Sequence, residues 1–176
     1  MIKINFKKRE GFTLMEVLVY ISVLVIIISS VVSLLLWAVD LSSKSKAIRE
    51  VSDNSRRALE VMGYEIRGAK SIYTPTTNSA QLSLETAKYL PEGEGKSYLD
   101  FYVSDGVLYM KKEAQNPLPI TSDNVEIKTI FFDQISTTST VPSVQISLEI
   151  NYKNPNNRPE YSATIQATST FSFRSY

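Results

Sequence analysis

The chain has no cysteine and no histidine among its 176 residues. Without cysteine no disulfide can staple the fold, so its stability rests on a core of buried apolar side chains. Cys/His zinc sites, haem axial histidine, cysteine–histidine nucleophile pairs and the serine triad each lose a required member. An enzyme built on this chain would have to use carboxylates, Lys, Tyr or Ser alone. There is also no Gly-x-Ser-x-Gly, phosphate loop or dinucleotide fingerprint. A surplus of one charge is missing too. The net charge is +1, and residues 1–11 alone carry +3 (Lys3, Lys7, Lys8 and Arg9 against Glu10), which leaves −2 for the rest. That balance is no nucleic-acid footprint. Finally, no proline or glycine occurs from residue 12 to residue 62, so nothing in that stretch breaks a helix.

What is present is concentrated at the N-terminus. Residues 11–19 read GFTLMEVLV, and Val17 to Val39 is a run of 23 residues without a charge. At ~1.5 Å per residue this run makes roughly 34 Å of helix, enough to cross a ~30 Å hydrocarbon core. The positive charge before it, and the scarcity of positive charge just after it, place the N-terminus in the cytoplasm and residues after about 40 outside. The run is too long for a cleaved secretory signal and no Ala-x-Ala site follows it. A plain signal anchor accounts for length and orientation, but for neither Gly11-Phe12 at its edge nor Glu16 inside it. A charged residue at the centre of a spanning helix costs ~2.5–3.5 kcal/mol, less towards the ends, so Glu16 calls for a use.

The basic leader followed by Gly-Phe-Thr-Leu-x-Glu-Val-Leu-Val resembles the N-terminus of type IV prepilins and type II secretion pseudopilins. The resemblance implies that a prepilin peptidase, a membrane aspartyl enzyme, cuts between Gly11 and Phe12 on the cytoplasmic side. It implies that the same enzyme then N-methylates Phe12. The apolar segment would be kept, first as membrane anchor and later as filament core. Glu16 would pair with the positively charged N-terminus of a neighbouring subunit, a cation that relieves the cost of a carboxylate in low dielectric. Other pilin or pseudopilin subunits and an inner-membrane assembly platform are the implied partners. The stretch NSRRALEVMGYEIRGAKSI (54–72) is similar to the end of the first helix in J-type minor pseudopilins and W-type minor pilins. The lack of a kinking proline before Pro75 also leans to a minor subunit.

The periodicity predicts the rest of the fold. Past Asp40 apolar residues recur at helical steps (Leu41, Ile48, Val51, Ala58, Leu59, Met62, Ile66, Ala69), with charges on the other faces. One helix from Phe12 to about Lys70, roughly 88 Å long, is therefore expected. Its second half should bury Ile48, Val51, Leu59, Met62 and Ile66. A coiled-coil stalk is the alternative, but the repeat lasts barely four heptads and lacks ordered e/g charges. From Pro75 the period becomes two. Strands are expected over 81–85, 98–103, 107–112, 125–132, 144–152 and 161–173. Asp105-Gly106 should turn a hairpin, and KNPNNRPE (153–160) should be a loop. The expected class is α+β and pilin-like, with the long helix against one antiparallel sheet of five or six strands. The expected division is a leader (1–11, cleaved), a transmembrane helix (12–39), its amphipathic continuation (40–72) and an exported sheet domain (73–176). The closing Phe173-Arg174-Ser175 departs from the Arg-Asn that often ends the last strand of those minor subunits.

No metal, cofactor or catalytic site is assigned. Glu85, Glu92, Glu94, Asp100, Asp105, Glu113, Asp123, Glu126 and Asp133 are the acids of the exported part, and Glu92 and Glu94 in PEGEGK lack an EF-hand spacing. Tyr98, Tyr102 and Tyr109 in the hairpin fit a sheet edge or interface better than a ligand-stacking face. The leading expectation is a non-enzymatic filament subunit. A single-pass anchored binding domain that never polymerises is the rival, and an enzyme comes third.

Overall fold

A computed structural model describes residues 11–90, 92–113, 115–135 and 142–174. The basic residues of the leader, Lys3, Lys7, Lys8 and Arg9, and the closing Ser175 lie outside the described residues. The chain divides into two compact units, residues 1–42 and 43–176, bridged in sequence by a single helix, α1 (Leu14–Gly68).

In the first unit α1 starts because Thr13 caps it. The Thr13 hydroxyl and carbonyl both accept the Glu16 N–H, at 3.3 and 3.1 Å, and the carbonyl also takes the N–H of Val17. With no proline or glycine downstream the ladder simply continues. One 18-residue window of α1 has a mean hydropathy of 2.8 and none of it is buried inside the protein. By length and composition this helix can cross a membrane, and its apolar window is not hidden in a core.

The second unit is α+β. The rest of α1 stops at Gly68, where the Ala69 N–H turns back to the Ile66 carbonyl and the Lys70 N–H bonds to the Glu85 carbonyl. Among the described residues eight strands follow: β1 (Ser71–Ile72), β2 (Gln81–Thr86), β3 (Ser97–Ser104), β4 (Val107–Lys112), β5 (Leu118–Pro119), β6 (Val125–Ile135), β7 (Ser143–Tyr152) and β8 (Thr164–Ser172). A short 3-10 turn, Pro159–Tyr161, occupies the end of the expected loop and the start of the expected last strand. The six expected strands are present, 107–112 with the expected ends and the other five with shifted ones. The two-residue β1 and β5 are additional, too short to leave a period in the sequence.

The single sheet expected from the alternation is instead two. β1 to β5 form a five-stranded meander and β6 to β8 a three-stranded one, every neighbour antiparallel. Along the seam no ladder forms among the described residues. Two backbone bonds tie β6 across it: the Ile127 N–H to the Gly106 carbonyl at 2.8 Å, and the Phe132 N–H to the Ser79 carbonyl at 3.0 Å. Alternation reports which residues share a face; it carries no information about which strand edges meet. The Asp105-Gly106 turn is as expected, with φ of 50° and 73°, the double positive φ of the tight hairpin turn that matches strand twist.

One buried cluster fills the second unit. From α1 it takes Ala47, Val51, Ala58, Met62 and Ile66; from the sheets Leu82, Leu84, Leu99, Phe101, Leu108, Val125, Val144, Ile146 and Ile150 are among the most deeply buried. The expected helix face is corrected at two positions. Ile48 is 45% exposed, because one residue on from the buried Ala47 turns the side chain ~100° away from the stripe. Leu59 is only half-buried. Gly63 lies where α1 meets β8, and a Cβ there would overlap the Phe171 ring.

β6 carries a bulge. Its pairing with β7 shifts between Ile127 and Thr129, leaving Lys128 unmatched. The extra residue flips the period-two phase: Val125 and Ile127 are buried before it, Ile130 and Phe132 after it, while Phe131 is 56% exposed. β8, at the outer edge of its sheet, runs in unbroken register against β7. It contains no charge and no proline.

Candidate functional site

Sequence directs attention to the first residues of α1. Gly11 and Phe12 precede the helix in irregular, exposed backbone. No atom outside its chain neighbours lies within 4 Å of where a Cβ on Gly11 would stand, so there is open space beside the Gly11–Phe12 bond on that side. Phe12 is 75% exposed. Glu16 sits at the third helical position, where Thr-x-x-Glu is the spacing of a capping box and a negative charge faces the positive end of the helix dipole.

The Glu16 side chain does not close that box. Its Oε1 accepts a hydrogen bond from the Tyr20 hydroxyl at 3.1 Å. The Tyr20 ring also meets the Phe12 ring edge-on, centroids 6.3 Å apart at 77°. Phe12, Glu16 and Tyr20 thus form one stripe at steps of four. The sequence reading named Phe12 and Glu16 and passed over Tyr20. The available signal was the i, i+4 spacing, since helical side chains lean towards the N-terminus and Tyr20 therefore leans back over Glu16. Thr13 as the cap is legible in the same way, from Thr-x-x-Glu directly before the apolar run.

The second unit offers other polar groupings. Asn54, 7% exposed, donates to the Glu50 carbonyl and to Ser122 Oγ, while its own Oδ1 accepts the Ser122 N–H at 2.8 Å. Ser122 Oγ donates to Glu50 Oε1 at 2.8 Å. Glu65, 6% exposed, accepts from the Tyr89 hydroxyl at 3.0 Å and lies 3.8 Å from Lys88 Nζ. Burial, and then the bond to the Glu65 carboxylate, push the Tyr89 phenol above its ordinary pKa. Each grouping fastens a loop to α1, and each is internally satisfied. The rotation of α1 against the sheets is thereby pinned at two levels.

Among the described residues no three Asp or Glu side chains gather closely enough to hold a metal ion. Glu92 and Glu94 are exposed in the loop before β3. Tyr102 stacks on Tyr109 across the hairpin, with centroids 5.8 Å apart, and Tyr98 tilts against Tyr73. An open groove of about 460 Å³ runs between α1 and β8 over Leu59, Ile165 and Phe171, with Arg67 above the Phe171 ring. No protein-family model matches the chain, and no curated protein or solved structure matches it.

Proposed function

We propose that the protein is a minor pilin or pseudopilin, a subunit that assembles into or primes a type IV-like filament. The observation that carries this reading is Glu16. It is the one charge in the apolar part of α1, and it follows Gly11-Phe12 at the spacing of a prepilin processing site. The exposed, non-helical Gly11–Phe12 bond supports the same reading, because a peptidase needs its substrate extended. In this account the N-terminus faces the cytoplasm, prepilin peptidase releases the leader and methylates Phe12, and the span then passes from lipid into a bundle of neighbouring spans. The work done is assembly. Apolar contacts replace lipid, and the Glu16 carboxylate meets the cationic N-terminus of the next subunit, fixing register more than adding net stability.

Processing is tested by intact mass and N-terminal analysis of protein extracted from a membrane with active prepilin peptidase. A chain starting at methylated Phe12 is expected, and Gly11→Leu should abolish the cut by filling the open space beside the bond. A mature chain that keeps Met1 overturns the reading in favour of a plain anchored domain. Assembly is tested by co-purification with filament partners: Glu16→Val should insert and be processed normally, yet be recovered with partners in lower amount.

A further inference from the structure

We infer that Tyr20 is a positioning residue for Glu16, holding one carboxylate oxygen while the subunit is still in the bilayer and leaving the other for the incoming cation. The inference rests on the filament reading for the assembly step alone. The hydrogen bond itself is a property of the isolated chain.

The geometry comes from the helix. A step of four residues brings Tyr20 one turn beyond Glu16 on the same stripe, and its side chain points back along the axis towards it. The hydroxyl reaches Oε1 at 3.1 Å. Edge-on contact with Phe12 at 6.3 Å limits the ring's freedom from the other side. Among the described residues no other side chain donates to the Glu16 carboxylate.

Burial then gives the bond its weight. In hydrocarbon an unpartnered carboxylate or phenol hydroxyl each carries a desolvation cost that grows with depth. The neighbouring polar groups are already occupied: Thr13 caps the Glu16 N–H, and the Ser22 hydroxyl donates to the Leu18 carbonyl at 2.8 Å. Glu16 and Tyr20 are thus each other's remaining partner. Because Tyr20 engages Oε1, Oε2 stays open and the carboxylate's rotation is restricted. An ammonium arriving from a neighbour finds an oriented acceptor, and the hydroxyl need not be displaced. A phenylalanine at position 20 would keep the ring contact and lose all of this.

The test uses the full chain in lipid nanodiscs and in cells with its filament partners. With 3-fluorotyrosine placed at position 20, the fluorine resonance of the unassembled chain should move when Glu16 is replaced by Leu. No movement overturns the inference. In cells, Tyr20→Phe should insert and be processed as the wild type is, while co-purification falls about five-fold or more, the share of one charge-assisted hydrogen bond. The double variant Tyr20→Phe, Glu16→Leu should be recovered no less well than Glu16→Leu alone, because the hydroxyl acts through the carboxylate. Undiminished or increased recovery of Tyr20→Phe overturns the inference, as do losses that simply add. Full recovery of Glu16→Leu instead overturns the filament reading itself, an outcome the fluorine measurement keeps separate.

Discussion

Two isoleucines on α1 measure how finely a helix face has to be resolved. Ile66 is fully buried and Ile48 is 45% exposed, although both fit an apolar repeat. Ile66→Ala should cost ~2–5 kcal/mol, transfer and cavity terms together. Ile48→Ala should stay within ~0.5 kcal/mol. Urea melts of the two variants decide whether the buried stripe runs through Ala47 or through Ile48, and equal losses would refute the phase described. Gly63→Ala sets two terms against each other. A helical alanine gains ~0.5–1 kcal/mol over glycine, but overlap with the Phe171 ring costs ~1–3 kcal/mol. Net destabilisation is expected, and relief of the clash by Phe171→Leu in the same chain would identify its source. Tyr89 gives a pH dependence. Its pKa is higher folded than unfolded, so the folded state keeps the proton longer. The associated stability is intact below the ordinary tyrosine pKa of about 10 and is lost as pH rises through the raised folded value. In alkaline melts Tyr89→Phe should flatten that decline.

At the level of elements, legibility followed local periodicity. α1 could be read from the absence of breakers, the β3–β4 hairpin from Asp105-Gly106, and β7 from its strict alternation of Val144, Ile146, Leu148 and Ile150. What escaped had no local signal. The split into two sheets depends on how edges far apart in sequence meet, the Asn54–Ser122 and Glu65–Tyr89 fasteners join partners on separate elements, and β1 and β5 are too short for a period. The bulge at Lys128 sits between these cases. VEIKTIFF reads as one strand, and its two halves present opposite parities only because one residue is extra. Removing Lys128 should therefore be tolerated much as replacing it is. Deletion takes out the extra residue, sets Ile127 and Thr129 opposite Ile150 and Glu149 as neighbours in a regular ladder, and keeps Ile130 and Phe132 inward, while Lys128→Ala loses only an exposed ion pair with Glu126. Cooperative unfolding in both variants is the expected pattern, and its loss in the deletion alone would refute the register described.

For the molecule as a whole, the helix follows an exposed Gly-Phe pair, and its later part helps to form the core of residues 43–176. A shortened chain beginning near Leu41 lacks the only charge-free run long enough to span a membrane and keeps that core. It should be soluble and unfold in one cooperative step, and a broad, non-cooperative melt would show that the core needs the missing helix. Freed from its anchor, that shortened protein would also show what the bare edge of β8 entails. Natural sheets guard long edges with lysine, proline or a bulge; β8 has none of the three, whereas β1 and β5 are two residues long and β6 has its outer side tied to Gly106 and Ser79. The ceiling on its concentration in solution should accordingly be set by strand-to-strand stacking and not by net charge. Turbidity and thioflavin binding should rise with protein concentration at any pH near neutrality, with no sharp maximum at the isoelectric point. A single Thr170→Lys on the exposed side of that strand should raise the ceiling without moving the melting temperature.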